Sequence, residues 1–404
     1  MTARLAVDSH ATQIIPSPET LIERARAMIP VLQERARDVV RNHRVSDDSI
    51  AEMQAAGFFR VLQPKRFGGY EMHPNTFFAI QKLLAEGCMS TGWVYGVVGC
   101  HPYELALFDE RAQAEVWGED DTTLVSSSYQ PVGKVERAEG GFYLSGHWGF
   151  SSGSGHCDWV ILGALVPPQV EGGAPDSRAF LIPRSDYRIE KAWDVFGLQG
   201  TGSEDIIVDR VFVPEYRTHR AEDGFLCSNP GQAANDSALY RLPWAQVFVR
   251  SVSTAAFGGA RAAVKAATQI MQDRVSTNTG KASKADPVLQ QALARAHAEI
   301  LEMELTHKTS FEQLMAHAEA GEAIPMELRA LYAYQSSSVV RRLADLVDDL
   351  MPLLGGRAIY MSSPIVQPWL DLHAARAHVA NDPGNRASDV LGTMAGEAPA
   401  FKFL

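Results

Sequence analysis

Three consecutive parts, helical, then β, then helical again, make up the α+β fold that this 404-residue chain predicts. Apolar residues recur at helical spacing as far as about residue 120 and again after 218. Between those points the pattern breaks into short apolar runs separated by Gly, Pro and Asp clusters. Size is the third observation, because a chain that is 46% hydrophobic and 21% charged at this length can bury a large core and has no bias towards disorder. The expected domains are an N-terminal helical domain over residues 1–120, a central β domain, barrel or sandwich, over 121–217, and a C-terminal helical bundle over 218–404.

Each part carries local signals. In the first, Glu19 to Val116 reads as helices, with Ser46 followed by Asp47 and Asp48 as a helix start and Gly57 as a stop. The segment LQPKRFGGYEMHP punctuates the chain before a further helix, NTFFAIQKLLAEG, from Asn75 to Gly87. The strands of the middle part are TTLVSSSY, GFYLSGHWGF, DWVILGALV, RAFLIPRSDYRI and EDIIVDRVFVPE, with EGG at Glu139 to Gly141 as a hairpin turn. A connection rich in Gly, Asn and Ser near residues 218 to 239 leads to the last part. There Asp286 and Pro287 form a cap and first turn, followed by an apolar stripe of Leu289, Leu293, Ala296, Ile300 and Met303. A second stripe runs through Leu328, Leu331, Val339, Leu343, Leu346 and Leu350. Two such long stripes exceed what one small bundle needs, so a homotetramer is expected.

Composition removes several function classes. A formal net charge of -11 argues against a nucleic-acid partner. No run of ~18 apolar residues suits a membrane span, and the N-terminal MTARLAVDSHATQIIPSPET lacks the order of a signal peptide, so a cytoplasmic protein is expected. Cys88, Cys100, Cys157 and Cys227 are scattered without a CxxC pair, as reduced and buried thiols would be. No GxGxxG or GxxxxGK[ST] supplies a dinucleotide or phosphate loop, and no GxSxG elbow is present. On one helix His373 and His378 would point about 140° apart, so no metal site is expected.

The remaining motifs are ambiguous by composition. Hydroxyls such as Ser126, Ser127 and Ser128 usually satisfy nearby backbone groups. Trp148, Gly149, Phe150, Ser151, Ser152 and Gly153 allow the same reading, yet an aromatic beside two hydroxyls and a glycine would also let a flat ring approach closely. Longer motifs break the tie. The segments GLQGTGSEDIIVDRVFVPE and LLGGRAIYMSSPIVQPWLDLHAARAHVANDP resemble the acyl-CoA dehydrogenase fold, with its N-terminal helical domain, central β-barrel and C-terminal four-helix bundle. More narrowly, GFFRVLQPKRFGG, STGWVYGVVGCH, LALFDERAQAEVWGED, SSSYQPVGKV, SSGSGH and DLHAARAHVANDP resemble the oxygenase components of flavin-dependent phenol monooxygenases built on it. The likeness is nearest to those acting on secosteroid phenols in bacterial steroid degradation, more distant to p-hydroxyphenylacetate hydroxylase, and runs from about Arg24 to Gly392.

That resemblance implies a two-component enzyme. A separate NAD(P)H-dependent flavin reductase would supply reduced FMN, with FAD as the alternative, and O2 and a phenol would be converted to a catechol through a flavin C4a-hydroperoxide. It places the catalytic base at His378, with Asp382 as a weaker candidate to orient the ring, and a hydroxyl near the flavin ring nitrogen N5 at Ser152. Imidazole, with a pKa near ~6.5, suits proton exchange with a phenol. Trp93, Phe150, Ser151, Ser126 and Ser128 would line the flavin, and Arg274, Gly355, Gly356 and Arg357 would hold its phosphate end from neighbouring subunits. His101, Ser127 and Tyr129 would meet the substrate, with Trp193, Phe196 and the 218–239 connection also able to shape the pocket. The C-terminal EAPAFKFL departs from the relatives' ending. Rival readings are an acyl-CoA dehydrogenase and a sulfur or nitrogen monooxygenage on the same fold; alignment on Asp371 puts Val379 where many dehydrogenases keep their glutamate base.

Overall fold

The computed structural model describes residues 15–276, 280–400 and 403–404; most of the N-terminal stretch read above for a leader, and Phe401 and Lys402 of EAPAFKFL, lie outside them. Five helices come first: α1 (Pro18–Arg41), α2 (Asp47–Ala55), α3 (Pro74–Gly87), α4 (Met89–Leu105) and α5 (Glu110–Trp117). Ser46 caps α2 by accepting from the Ser49 N–H, and Gly57 follows in the left-handed region at φ 83°. Every residue of α4 is buried, as its low charge predicts, so it runs through the middle of the molecule.

Seven strands follow: β1 (Val125–Ala138), β2 (Gly141–Ser151), β3 (Trp159–Val166), β4 (Asp176–Pro183), β5 (Arg188–Glu190), β6 (Glu204–Pro214) and β7 (Thr218–Arg220). They form one sheet in the order β5-β6-β2-β1-β3-β4-β7. The EGG turn falls where expected, between β1 and β2, with Gly140 at φ 74°. The expected strand RAFLIPRSDYRI is instead two strands, because a 3-10 turn at Arg184–Asp186 separates them and sends β5 to one edge of the sheet while β4 lies between β3 and β7 near the other. β1 changes partner along its length. Its start, Val125 to Ser128, pairs with β3 in parallel, and its end, Lys134 to Ala138, pairs with β2, with an irregularity between Ser128 and Gly133. The sheet curls around a core in which Phe142 of β2 meets Phe180 of β4 edge-on at 5.7 Å. Trp148 is fully buried there and donates to the Gly163 carbonyl at 2.8 Å. A Cβ at Gly133 or Gly146 would stand 2.6 or 2.7 Å from its ring, so both positions are glycine to seat it.

The 218–239 connection is more structured than its composition suggests, holding β7, α6 (Ala221–Leu226) and a 3-10 turn at Pro230–Ala233. The last part contains α7 (Trp244–Asp273), α8 (Pro287–Ala320), α9 (Met326–Leu350), α10 (Val366–Arg376) and α11 (Gly384–Met394). Asp286 caps α8, accepting from the Val288 and Leu289 N–H groups, and the first apolar stripe is wholly buried. The second is not: Leu331 is 38% exposed, and Ala330, Tyr332 and Ala333 face inwards instead. α1, α3 and α4 share one apolar core with α7, α8, α9 and α10, so the two helical parts pack against each other. No helix among the described residues is long and apolar enough to cross a membrane.

Candidate active site

One side of α4 supplies Trp93 and His101. The imidazole of His101 is fully buried, with Nδ1 2.6 Å from the Val125 carbonyl and Nε2 2.9 Å from Ser127 Oγ. A carbonyl can only accept, so Nδ1 carries the hydrogen and Nε2 of the neutral ring accepts from the Ser127 hydroxyl. Desolvation lowers the pKa of His101, outweighing the opposing pull of Glu104, and holds it neutral. Strand alternation then separates the three serines. Ser128 donates to the Gly149 carbonyl at 2.7 Å, and Ser126 lies fully buried 3.3 Å from Ser151 Oγ. Of the three, only the Ser127 hydroxyl bonds His101. Ser126, Ser128 and Ser151 tie β1 to β2.

Tyr129 follows on β1 and turns towards α4. Its hydroxyl hydrogen bonds to the carboxylate of Glu104, a buried residue one turn beyond His101 that the sequence did not single out. The ring, not the hydroxyl, therefore faces its surroundings, edge-on to Phe248 at 5.0 Å and 6.3 Å from His101. Phe248 in turn meets Phe403 at 5.9 Å, so the divergent C-terminus packs behind this aromatic wall. Asn229 of the 218–239 connection joins it too, through a 2.7 Å bond to His219, whose other nitrogen is 3.7 Å from Glu104.

A chain of hydroxyls leads away from Trp93. The indole N–H donates to Ser152 Oγ at 3.2 Å; Ser152 Oγ is 2.7 Å from Ser203 Oγ, and Ser203 Oγ is 2.7 Å from Thr201 Oγ1. Thr201 donates to the Leu198 carbonyl at 2.9 Å. Leu198 is held from its N–H side by the buried carboxylate of Asp371 at 2.6 Å. Burial raises the pKa of Asp371 to about 6 despite the Leu198 and Gln367 hydrogen bonds that oppose it. Thr201, Ser203 and Asp371's anchoring role were not evident beforehand, because they lie in GLQGTGS and α10, far along the chain from Ser152. Phe150 sits beside Ser152 at φ 64°, is 64% exposed, and meets Trp193 edge-on at 5.8 Å.

His378 faces Trp93, with ring centroids 5.7 Å apart. It is not on a helix with His373, because α10 stops at Arg376 and His378 opens a 3-10 turn over Val379–Asn381. Its Nδ1 caps that turn by accepting from the Ala380 N–H at 3.1 Å, so the neutral ring carries its hydrogen on Nε2. Desolvation lowers its pKa to about 4. Asp382 leaves the turn and accepts from the Gly384 N–H at 2.9 Å, so the two do not share a helix face. Val379 is 75% exposed and offers no carboxylate for α-proton abstraction. Among the described residues no group of three or more potential metal ligands gathers.

Arg274, Gly355, Gly356 and Arg357 come together elsewhere. Arg274 donates to the Leu353 carbonyl at 3.2 Å, and a Cβ at Gly355 would stand 2.3 Å from its guanidinium. Asn381 bonds the Val252 carbonyl at 3.2 Å, fixing the His378 turn beside Val252 of α7. Arg274 ends the same helix 22 residues later, ~33 Å along the axis at 1.5 Å per residue. One flavin mononucleotide cannot reach both groups within one chain. The site otherwise fits the ring of a flavin: a buried hydroxyl at Ser152, the edge of Trp93 and the His378 N–H border one face, with exposed aromatic surface at Phe150.

Residues 251–383 match the family model described as acyl-CoA dehydrogenase, C-terminal domain. The flavin-dependent monooxygenase, oxygenase subunit HsaA, of Rhodococcus jostii (strain RHA1) is 37% identical over 377 residues, 92% of this chain and 97% of that protein. The oxygenase component of an FADH(2)-dependent resorcinol hydroxylase from a Rhizobium species is 30% identical over 94% of this chain and 93% of its own length. The crystal structure of the 3-HSA hydroxylase from Rhodococcus sp. RHA1 superposes with a TM-score of 0.90 at 34% identity, covering 95% of this chain and 99% of that one.

Proposed function

This chain belongs to the oxygenase components of two-component flavin-dependent monooxygenases, and on that premise we propose that its own substrate is a phenol, hydroxylated ortho to its hydroxyl, and that Ser127 and His101 receive the phenolic proton. An oxygenase component draws reduced flavin from a separate reductase. Reduced flavin, when bound, supplies the electrons that divide O2 between the aromatic ring and water. We take FMN as the flavin, with FAD as the alternative, and an NAD(P)H-dependent reductase working in the same cytoplasm.

The observation that carries the substrate reading is the fixed bond between His101 Nε2 and Ser127 Oγ. With its hydrogen directed at His101, the Ser127 oxygen keeps lone pairs for an incoming phenolic O–H. The phenol proton then moves to Ser127 as the Ser127 hydrogen moves to His101 Nε2, which leaves a phenolate, the more electron-rich nucleophile. His378, where the resemblance puts the base, has its Nδ1 engaged by Ala380 and presents an Nε2–H, suited to donating a hydrogen bond beside Trp93. The wall of Tyr129 and Phe248 gives the phenol an apolar body to lie against.

Single turnover tests the assignment. Flavin reduced chemically, O2 and a phenol are mixed with the protein, and product is counted per flavin oxidised. Ser127→Ala and His101→Gln should lose about 10²-fold or more in hydroxylation rate at neutral pH, the usual scale for a positioned base. Raising the pH towards the phenol's own pKa, about 10, should recover part of it because solvent then supplies phenolate. Wild-type product yield from both variants would move the proton acceptor elsewhere, with His378 the next candidate.

A further inference from the structure

The hydroxyl chain that ends at Ser152 has a direction, and the direction follows from counting hydrogens. A carbonyl oxygen only accepts, so the single hydroxyl hydrogen of Thr201 is committed to Leu198 O at 2.9 Å. Thr201 Oγ1 must then accept from Ser203 at 2.7 Å, which commits the hydrogen of Ser203. Ser203 Oγ must in turn accept from Ser152, also at 2.7 Å. The hydrogen of Ser152 is spent, and the same oxygen already accepts from the Trp93 indole at 3.2 Å. What Ser152 Oγ has left is an acceptor site.

The two backbone N–H groups at this turn, those of Ser152 and Gly153, are already engaged. The Ser152 N–H is bonded to the Phe150 carbonyl at 3.0 Å, and the Gly153 N–H to the Thr201 carbonyl at 2.9 Å. Ser152, Ser203 and Thr201 are each less than a tenth exposed, so water does not readily reset the order. The anchor is firm as well. Leu198 O also accepts from the Trp193 indole at 3.0 Å, and Asp371 grips the Leu198 N–H at 2.6 Å.

We propose that Ser203 and Thr201 are specificity-determining residues that set the redox state of the flavin this protein binds, by making Ser152 an acceptor towards the ring. The proposal rests on the reading that Ser152 faces flavin N5. Reduced flavin bears a hydrogen on N5 and can donate it to Ser152. Oxidised flavin has only a lone pair there, which would meet another lone pair. A component that must collect reduced flavin from a reductase and release the oxidised form gains its preference from this mismatch. Ser203 and Thr201 act through Ser152 and are positioning residues.

The test is a pair of binding titrations on flavin-free protein, one with oxidised FMN in air and one with dithionite-reduced FMN under anaerobic conditions, read by quenching of tryptophan fluorescence. Wild-type protein should bind the reduced form more tightly. Ser203→Ala removes the acceptor for the Ser152 hydrogen, and Thr201→Val lets Ser203 donate back to Ser152; either change frees a hydrogen at Ser152 for oxidised N5. In both variants the reduced-to-oxidised preference should fall by about tenfold, the scale of one relieved mismatch, equivalent to ~30 mV in the potential of the bound couple. An unchanged ratio in the two variants, or equal weakening of both redox states, overturns the proposal. No flavin binding by wild-type protein overturns the functional reading beneath it, which is a different result.

Discussion

His101 and His378 are the same residue in two opposite states. His101 gives its Nδ1 hydrogen to Val125 and so accepts through Nε2, whereas His378 accepts through Nδ1 and so donates through Nε2. Sequence resemblance located both histidines, but the roles depend on which backbone group engages the far nitrogen, and no motif encodes that. Glu104 was equally hidden: a glutamate in an apolar helix reads as a surface position until Tyr129 is found above it. Asp371 yields a prediction at this scale. Its pKa in the folded protein, about 6, lies above the ordinary 3.8, so folding favours the protonated form. The stability this contributes is complete below the unfolded pKa and is lost as pH rises through the folded one. Asp371→Asn keeps an oxygen for the Leu198 N–H and cannot ionise. It should therefore match wild type near pH 4 and exceed it by about 3 kcal/mol above pH 7, measured by urea unfolding across pH. A gap that is constant with pH would mean that Asp371 does not titrate in this range.

At the scale of elements, helices with clear caps and continuous stripes were legible, and α2, α3 and the start of α8 fall where Ser46, Asn75 and Asp286 place them. Elements set by distant contacts were not. The split between β4 and β5 follows from strand order, which local hydropathy does not carry, and α10 stops short of His378 because a turn capped by its own imidazole takes over. Gly355 is a position whose task depends on a neighbour distant in sequence. It follows the turn after α9 at φ 78°, and a Cβ there would run into the Arg274 guanidinium. Gly355→Ala should therefore displace Arg274 and strain the turn by roughly 1–3 kcal/mol. If this turn holds the flavin phosphate, FMN affinity should drop by about tenfold while riboflavin, which has no phosphate, binds as before. Equal losses for the two ligands would remove the turn from the flavin site.

At the scale of the whole molecule a single chain does not complete the site, because Val252, which anchors the His378 turn, and Arg274 lie ~33 Å apart along α7. The His378 turn and Arg274 can serve one flavin only if each site joins the ring-binding end of one subunit to the phosphate-binding end of another. The exposed apolar residues Leu301 and Leu305 on α8 and Leu391 and Met394 on α11 fit a protein that buries these faces in an assembly, and a homotetramer built from pairs sharing their sites meets both demands. Subunit mixing tests the sharing directly. Ser127→Ala disables the substrate end of its own subunit, and Arg274→Ala disables the phosphate end that its subunit lends. Each variant alone should be nearly inactive at limiting FMN. In a mixed pair, however, one of the two sites combines the intact Ser127 of one subunit with the intact Arg274 of the other. Equal amounts unfolded and refolded together should therefore regain roughly a quarter of the wild-type rate, from random pairing with one good site in each mixed pair. If both ends of a site lay in the same chain, every site in the mixture would carry one of the two lesions, and refolding together would restore nothing.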